Sequence, residues 1–178
     1  MGMESYNLLF LHENSRIVYN ERNCWKISGT SGLPVSQVQN LLKKTCKQIT
    51  EEEWRFDECI DLLIYEEDSW FQGLELRGCL AYFDKGVEQC YACYKRWSET
   101  IPLQIYVMHQ PVQVANCSEF HNMVAEAYAE KIEWFRRQYG DIEWKVTGDD
   151  AFYREVRRRQ SLWYRLSRYF HGKSRGYN

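Results

Sequence analysis

The chain lacks the segments that direct a protein to export or into a membrane. Residues 1–10 have neither a basic stretch nor a long apolar run, so we expect no secretory signal. No other stretch approaches the roughly 20 apolar residues that a membrane-spanning helix needs. Internal repeats and low-complexity linkers are also missing. We therefore predict a single domain without a membrane partner.

The common catalytic signatures are missing too. The sequence has no G-x-S-x-G elbow, no phosphate-binding P-loop and no H-E-x-x-H motif. The segment Glu143-Trp144-Lys145 is the E-x-K half of a metal-dependent nuclease site, in which the acid holds Mg²⁺ and the lysine steadies a water or phosphate. The second acid of such a site should lie on a neighbouring strand, whereas the region before Glu143 is predicted as a long helix. We therefore predict no catalytic residues and no enzymatic activity, and keep a nuclease using Glu143 and Lys145 as an alternative.

What the chain does have is length, apolar content and aromatic side chains. Its 178 residues are 44% hydrophobic and 16% aromatic, which is enough for a packed core. Seven cysteines are an odd number, and no export signal accompanies them. Reduced thiols, buried or bound to metal, are therefore favoured over a disulfide framework.

Charge divides the sequence into two parts. Residues 151–178 hold eight Arg or Lys and one acid, a net charge of +7, whereas residues 1–150 carry −9, so that the whole chain is −2. We predict an acidic globular body over 1–150 and a basic carboxyl-terminal helix and tail over 151–178, within one domain. A basic end of this kind suits a polyanion such as nucleic acid.

Hydrophobic spacing predicts more helix than strand. Two β-prone runs at 6–11 and 16–19 flank a turn and predict an amino-terminal β-hairpin, with a short strand at 24–28. Thr50 and Glu53 have the spacing of a capping box and predict a helix start. The predicted helices are 34–49, 50–65, 69–83, 88–97, 118–139 and 151–170, and the other predicted strands are 103–108, 112–114 and 142–146. The predicted fold class is α+β, mainly helical, as one compact domain with an amino-terminal hairpin, stapled by zinc.

The zinc prediction comes from four metal-capable side chains in two short pairs. Cys90 and Cys93 are spaced C-x2-C, and Cys117 and His121 are spaced C-x3-H. Residues three or four apart share a face of a helix, so each pair can turn toward one point. A Cys3His set closes a tetrahedral structural zinc site. The alternative is that the cysteines pack as small apolar side chains and that the histidine lies on a helix surface.

The basic carboxyl-terminal helix is the candidate nucleic-acid-binding element. Its six clustered arginines are Arg154, Arg157, Arg158, Arg159, Arg165 and Arg168. Tyr153, Trp163 and Tyr164 lie among them, and aromatic faces can stack on exposed bases while arginine pairs with phosphate. We predict contact with nucleic acid, with RNA favoured over DNA. A nuclear import signal and a solvated amphipathic helix are alternative interpretations of the same residues.

The middle of the chain resembles the small nuclear accessory protein, NP, of bocaparvoviruses, and the related NP of chaphamaparvoviruses is nearer in size. The matching residues are Trp25, Ser28, the polar segment Gln37 to Gln48, Trp54, Leu62-Leu63, Tyr82-Phe83, Cys90-x-x-Cys93 and Trp97. The bocaparvovirus proteins end acidic, whereas this chain ends basic. The resemblance implies a non-enzymatic viral regulator in the host nucleus that acts on viral RNA processing and genome replication.

The expected partners are therefore RNA or host RNA-processing factors, and the expected location is the host nucleus, with the cytoplasm as the alternative. A second functional hypothesis is a small interaction or inhibitor protein that presents an acidic binding face. The nuclease is the third. The sequence makes no prediction of oligomeric state.

Overall fold

A computed structural model describes residues 5–50, 53–56 and 60–139. The strands are β1 (Ser5–His12), β2 (Arg16–Tyr19), β3 (Trp25–Ser28), β4 (Lys47–Gln48), β5 (Glu53–Phe56), β6 (Ile60–Glu67), β7 (Trp70–Cys79), β8 (Leu103–Val107) and β9 (Gln110–Val112). The helices are α1 (Val35–Leu42), α2 (Phe83–Ser98), α3 (Cys117–Ala127) and α4 (Ala129–Tyr139), and a 3₁₀ turn at Leu80–Tyr82 leads into α2.

Seven of the strands form one antiparallel sheet in the order β4-β5-β6-β7-β1-β8-β9. Strand β1 lies inside the sheet, with β7 on one side and β8 on the other, and Leu9 is aligned with both Glu75 and Tyr106. The remaining two strands, β2 and β3, pair only with each other. Because successive side chains of a strand point to opposite faces, β1 contributes to the packing on both faces of the sheet.

The main core lies between the helices and one face of the sheet. Leu8 and Phe10 of β1 point toward it, and α1 adds Val38 and Leu42 while α2 adds Trp97; all five are at most 1% exposed. In α1 and α2 the buried residues recur at spacings of three or four, which explains why these two segments are helical. An amphipathic helix gains stability by packing its apolar side.

Tyr6 shows how closely α2 approaches the sheet. Its ring is fully buried, and a Cβ atom placed on Gly78 of β7 or on Gly86 of α2 would lie within 2.4 Å of Tyr6 atoms. Both positions therefore need glycine to accommodate the ring. The Tyr6 ring also contacts Phe83 edge to face, with the ring centroids 5.3 Å apart.

A smaller apolar cluster covers the opposite face of the sheet. Leu9 and Leu11 of β1 pack there with Tyr106 of β8 and with Ile27 from the β2–β3 ribbon. Trp25 of the ribbon meets Tyr65 of β6 edge to face, with the ring centroids 6.0 Å apart. The ribbon therefore forms a third layer, and it leaves part of this face open.

Strand content corrects the predicted fold class. A seven-stranded antiparallel sheet is the centre of the described chain, and the described helices number four, so the expectation of a mainly helical α+β domain is wrong. The amino-terminal hairpin is wrong as well. Both of its strands exist, but β1 pairs with β7 and β8 while β2 pairs with β3.

The predicted helix over 50–65 is a pair of strands. Ile60, Leu62 and Ile64 are buried at every second position, which is strand periodicity. The hydrogen bond expected from the capping-box spacing does form, because the Glu53 N–H donates to Thr50 Oγ1 at 3.0 Å. It closes the turn between β4 and β5 instead of starting a helix.

The predicted helix over 69–83 is also wrong, since most of it forms β7. This strand is almost continuously buried from Phe71 to Leu76, because the helices cover one of its faces and the ribbon covers much of the other. A strand buried on both faces loses its alternating pattern and cannot be distinguished from a buried helix by apolar spacing.

Several other predicted elements are confirmed, with changed limits. The segments at 103–108 and 112–114 form the paired strands β8 and β9. The helix at 34–49 is shorter, and the helix at 88–97 is part of the longer α2. The long helix at 118–139 divides into α3 and α4 at Tyr128. The predicted elements at 142–146 and 151–170 lie outside the described residues. None of the helices within the described ranges is long and apolar enough to cross a membrane.

Candidate functional site

The predicted zinc ligands Cys90 and Cys93 lie on the inner side of α2. They are 0% and 2% exposed and belong to the main core. Burial raises the pKa of the Cys90 thiol to about 12, even though the nearby Tyr6 hydroxyl lowers it, and burial likewise raises the pKa of Cys93. Without a bound metal, both thiols are therefore neutral at physiological pH.

The other predicted pair lies at the start of α3. Cys117 is the first helical residue, and its neighbour Asn116 caps the helix by accepting the Glu119 N–H at 2.9 Å. His121 is engaged with α2: its Nε2 lies 2.9 Å from Asp84 Oδ1 and its ring meets Phe83. His121 thus fastens α3 to the first turn of α2.

No group of three or more His, Cys, Asp or Glu side chains with metal-binding geometry occurs between residues 5 and 139 where the structure is described. Zinc binding by Cys90, Cys93, Cys117 and His121 stays a prediction from spacing. The six arginines of the basic helix and the nuclease pair Glu143 and Lys145 lie outside the described residues.

A pocket of about 190 Å³ lies at the Asn7 end of β1, between the β2–β3 ribbon and the α3–α4 junction. Leu9 and Tyr106 form its apolar floor. Pockets for drug-sized ligands hold roughly 300–1,000 Å³, so this one suits a single side chain or a small ring. We refer to it below as the β1 pocket.

Aromatic side chains form one wall of the β1 pocket. The His109 ring stacks obliquely on Trp25, with centroids 4.7 Å apart, and His109 Nδ1 lies 3.2 Å from the Tyr19 hydroxyl. Met108 is 57% exposed at the mouth of the pocket, and Tyr19 is 50% exposed. Large apolar and aromatic side chains therefore lie in contact with solvent beside an open cavity, as they do at binding surfaces.

The turn that carries this wall is strained. Met108 and His109 link β8 to β9 as a two-residue hairpin turn, with φ angles of 49° and 65°. Such turns are normally formed by Asn-Gly or similar pairs, because residues other than Gly, Asn, Asp and His rarely adopt positive φ, as Met108 does here. Strained backbone of this kind costs about 1–3 kcal/mol per residue and is concentrated at functional sites.

A closed polar network lies beneath the apolar part of the pocket. The Glu75 side chain is 5% exposed, and its Oε1 accepts from Asn7 Nδ2 at 2.6 Å and from Arg77 Nε at 3.1 Å. Its Oε2 accepts from the Tyr65 hydroxyl at 2.6 Å and from a second Arg77 nitrogen at 3.3 Å. A carboxylate has about four acceptor positions, so Glu75 has none left for a substrate. It supports the pocket and does not act as a base.

The opposite wall comes from the junction of α3 and α4. The Tyr128 hydroxyl accepts from the Asn7 N–H at 3.0 Å and donates to the Asn7 carbonyl at 2.6 Å. Lys131 extends beside it: its ammonium group donates to the Ser5 carbonyl at 3.0 Å and lies 5.6 Å from the centre of the Tyr128 ring. These contacts fix the wall against the sheet.

No part of the β1 pocket was identified as a site from the sequence. Its residues come from β1, β3, β7, β8 and the α3–α4 junction, and they meet only through sheet order. One local signal was available, because the Met108-His109 pair stands between two short β-prone runs where turn residues are expected. A Met-His pair departs from ordinary turn residues, and such departures are expected at functional sites more often than elsewhere.

No protein-family model, curated protein or solved structure matches this chain. Function therefore has to be argued from the geometry of the pocket and from charge. The pocket combines aromatic walls, which include the His109 imidazole, with a saturated carboxylate and one lysine, an arrangement suited to holding a group.

Proposed function

We propose that the protein is a non-enzymatic interaction protein whose β1 pocket takes one apolar or aromatic side chain of a partner protein. The observation that carries this proposal is the strained Met108-His109 turn, which keeps Met108 57% exposed at the mouth of an apolar cavity. An Asn-Gly pair would adopt this turn with less strain. The proposal is supported further by the volume of about 190 Å³, which matches a side chain better than a cofactor.

The hydrogen bonds around the β1 pocket hold its walls in place, which favours a binding site rather than a loosely packed surface patch. Glu75, Arg77 and Tyr65 fix β6 and β7 beneath the pocket, and Tyr128 fixes the opposite wall to β1. Rigid walls reduce the entropy lost when a ligand is ordered, so a small contact can still be specific. Interfaces of this kind place an aromatic anchor in a pocket.

The test uses N-acetyl-tryptophanamide, an uncharged stand-in for a partner side chain. We expect millimolar concentrations to shift the amide NMR signals of Leu9, Tyr106 and His109 in a saturable way. Trp25→Ala removes one aromatic wall and should weaken binding at least about fivefold, since a buried aromatic contact contributes about 1 kcal/mol or more.

The matched control is Trp70→Ala, which removes a 41% exposed tryptophan that is not part of the pocket. It should leave the affinity unchanged. Shifts that are spread over the surface, or that are equally reduced by both variants, would contradict the proposed function.

We further propose, as the sequence resemblance implies, that the interaction serves a viral regulator of RNA processing and genome replication in the host nucleus. The feature that supports it is the net +7 of residues 151–178 against a body of −9, which gives the chain a segment suited to RNA beside a pocket suited to protein. Loss of RNA binding when Arg157, Arg158 and Arg159 are changed to Gln tests this proposal.

A further inference from the structure

The charges around the β1 pocket do not balance, and this imbalance constrains the occupant. Glu75 is the acidic residue of the lining, and the Arg77 guanidinium contacts both of its oxygens at 3.1 and 3.3 Å. Its negative charge is thus matched within the sheet. Lys131 is the remaining charged residue of the lining, and it has no such match.

Lys131 carries a positive charge without a carboxylate partner among the described residues. Its ammonium group donates to one backbone carbonyl, that of Ser5, and lies over the face of Tyr128. An ammonium group has three N–H donors, and these contacts leave donor capacity for a ligand. A cationic occupant would be repelled, whereas an anionic group would gain a charge-assisted hydrogen bond.

The aromatic residues in the pocket walls indicate which kind of side chain the pocket accepts. Trp25 and His109 line the pocket with their ring centroids 4.7 Å apart, and Tyr128 lines it beside Lys131. Aromatic rings prefer offset-stacked or edge-to-face contacts with other rings, so these three lining residues favour an aromatic occupant. The pocket is therefore complementary to a flat ring that carries a negative charge at one edge.

We infer that the β1 pocket binds an aromatic side chain that stands next to a carboxylate in the partner protein, with the ring between Trp25 and Tyr128 and the carboxylate on Lys131. This inference rests on the proposed function, because it names the chemistry of the segment that the pocket takes. The carboxylate is supplied by an adjacent Asp or Glu or by the end of the partner chain.

The experiment compares N-acetyl-tryptophan, which has a carboxylate, with N-acetyl-tryptophanamide, which does not. Dissociation constants come from NMR titration of the full chain at low salt. We expect the acid to bind at least about fivefold more tightly than the amide, which corresponds to about 1 kcal/mol for one charge-assisted hydrogen bond at a partly solvated site. Rising salt should reduce this preference.

Lys131→Gln should abolish the preference for the acid, because glutamine keeps a donor for the Ser5 carbonyl and removes the charge. Lys95→Gln, at an exposed position of α2 outside the pocket lining, is the control and should retain the preference. Equal affinities for acid and amide in the wild-type protein would overturn the inference and leave the proposed function standing. A preference that survives Lys131→Gln would overturn the role of Lys131.

Failure of both probes to shift pocket signals would overturn the inference and the proposed function together. The amide therefore separates the two ideas, since its binding depends on the aromatic walls and not on the charge. Tryptamine, which has the same ring and a positive charge, should bind more weakly than the amide. Tighter binding of tryptamine would show that the sign of the charge has been assigned wrongly.

Discussion

At the scale of single residues, the main feature is a carboxylate whose hydrogen-bonding capacity is filled by the protein itself. Glu75 is buried, and it joins β1, β6 and β7 through Asn7, Tyr65 and Arg77. Burial and the hydrogen bond to Glu75 raise the pKa of Tyr65 well above its ordinary value of 10.0, so Tyr65 stays a donor at any physiological pH.

Glu75→Gln is expected to lower the free energy of unfolding by about 2–4 kcal/mol, because one amide oxygen replaces two acceptors and the amide NH₂ opposes the surrounding donors. Urea unfolding measures the loss. Glu66→Gln, at an exposed position of β6, is the matched control and should change the free energy by less than about 0.5 kcal/mol. Equal midpoints for the two variants would show that the network contributes little to stability.

At the scale of elements, two hairpin turns of the described sheet can be compared, because both are formed by residues with positive φ. Met108-His109 joins β8 to β9, and Asp68-Ser69 joins β6 to β7, and all four residues have positive φ. Asp tolerates this conformation better than most residues because its short side chain can bond to nearby backbone. Each turn thus holds one residue that tolerates positive φ, Asp68 or His109, and one that rarely adopts it, Ser69 or Met108.

Replacing Met108-His109 by Asn-Gly should raise the free energy of unfolding by about 1–2 kcal/mol, because this pair adopts the required φ angles with little strain. The same replacement should weaken binding of N-acetyl-tryptophanamide, because both side chains form the pocket wall. Chemical denaturation and NMR titration of one sample measure the two effects.

Asp68-Ser69→Asn-Gly is the matched control for that experiment. It should also stabilise the protein, and it should leave the affinity unchanged because this turn is not part of the pocket. A Met108-His109 variant that gains stability and keeps full affinity would mean that the strained turn has no role in binding.

The edges of the sheet are a second feature at this scale. One edge strand, β4, has two residues, Lys47 and Gln48, and both are exposed. The other, β9, has three residues and includes Pro111, which cannot donate a backbone hydrogen bond. Short, charged or proline-containing edges discourage pairing with strands of other chains. The two described edges of the seven-stranded sheet are therefore poor surfaces for pairing with another chain.

At the scale of the whole molecule, charge is divided between an acidic body and a basic end. The six arginines of the basic segment are expected to bind single-stranded RNA, with an affinity whose logarithm falls by roughly 0.7 per phosphate contact for each tenfold rise in salt. Changing Arg157, Arg158 and Arg159 to Gln should lower both the affinity and this salt dependence, as measured by fluorescence anisotropy with a labelled oligonucleotide.

Lys43→Gln, Lys44→Gln and Lys47→Gln together make the control, since they remove the same charge from exposed positions of the body. This variant should bind RNA like the wild type. If the two triple variants weaken binding equally, net charge alone is responsible and the basic segment has no special role.

The sequence predicts local features of this fold better than its pairing. The apolar spacing of α1 and α2 and the paired strands around Pro111 were recognisable, because each depends on residues close in sequence. β7 is covered on both faces, which removes the alternation that marks a strand. β6 keeps this alternation, and there the capping-box spacing of Thr50 and Glu53 wrongly favours a helix.

The β1 pocket could not be predicted from the sequence either, because its residues are brought together by strand order. Glu75, Asn7 and Tyr65 meet because β7 lies between β1 and β6, and this order depends on long-range pairing that no local pattern encodes. The zinc prediction used local spacing, whereas the structure shows two of its ligands facing the core. Spacing indicates which side chains share a helix face but not whether that face is buried.

One phenol oxygen has a consequence for the architecture as a whole. Strand β8 ends at Val107, which pairs with Leu8 of β1. The backbone N–H and carbonyl of the preceding residue, Asn7, are hydrogen-bonded instead to the Tyr128 hydroxyl, 121 positions later in the chain. These two hydrogen bonds attach the α3–α4 junction to β1. Removing the Tyr128 hydroxyl would leave the Asn7 N–H and carbonyl without these hydrogen bonds. The shape of the β1 pocket and the packing of the α3–α4 junction on the sheet should therefore be lost together.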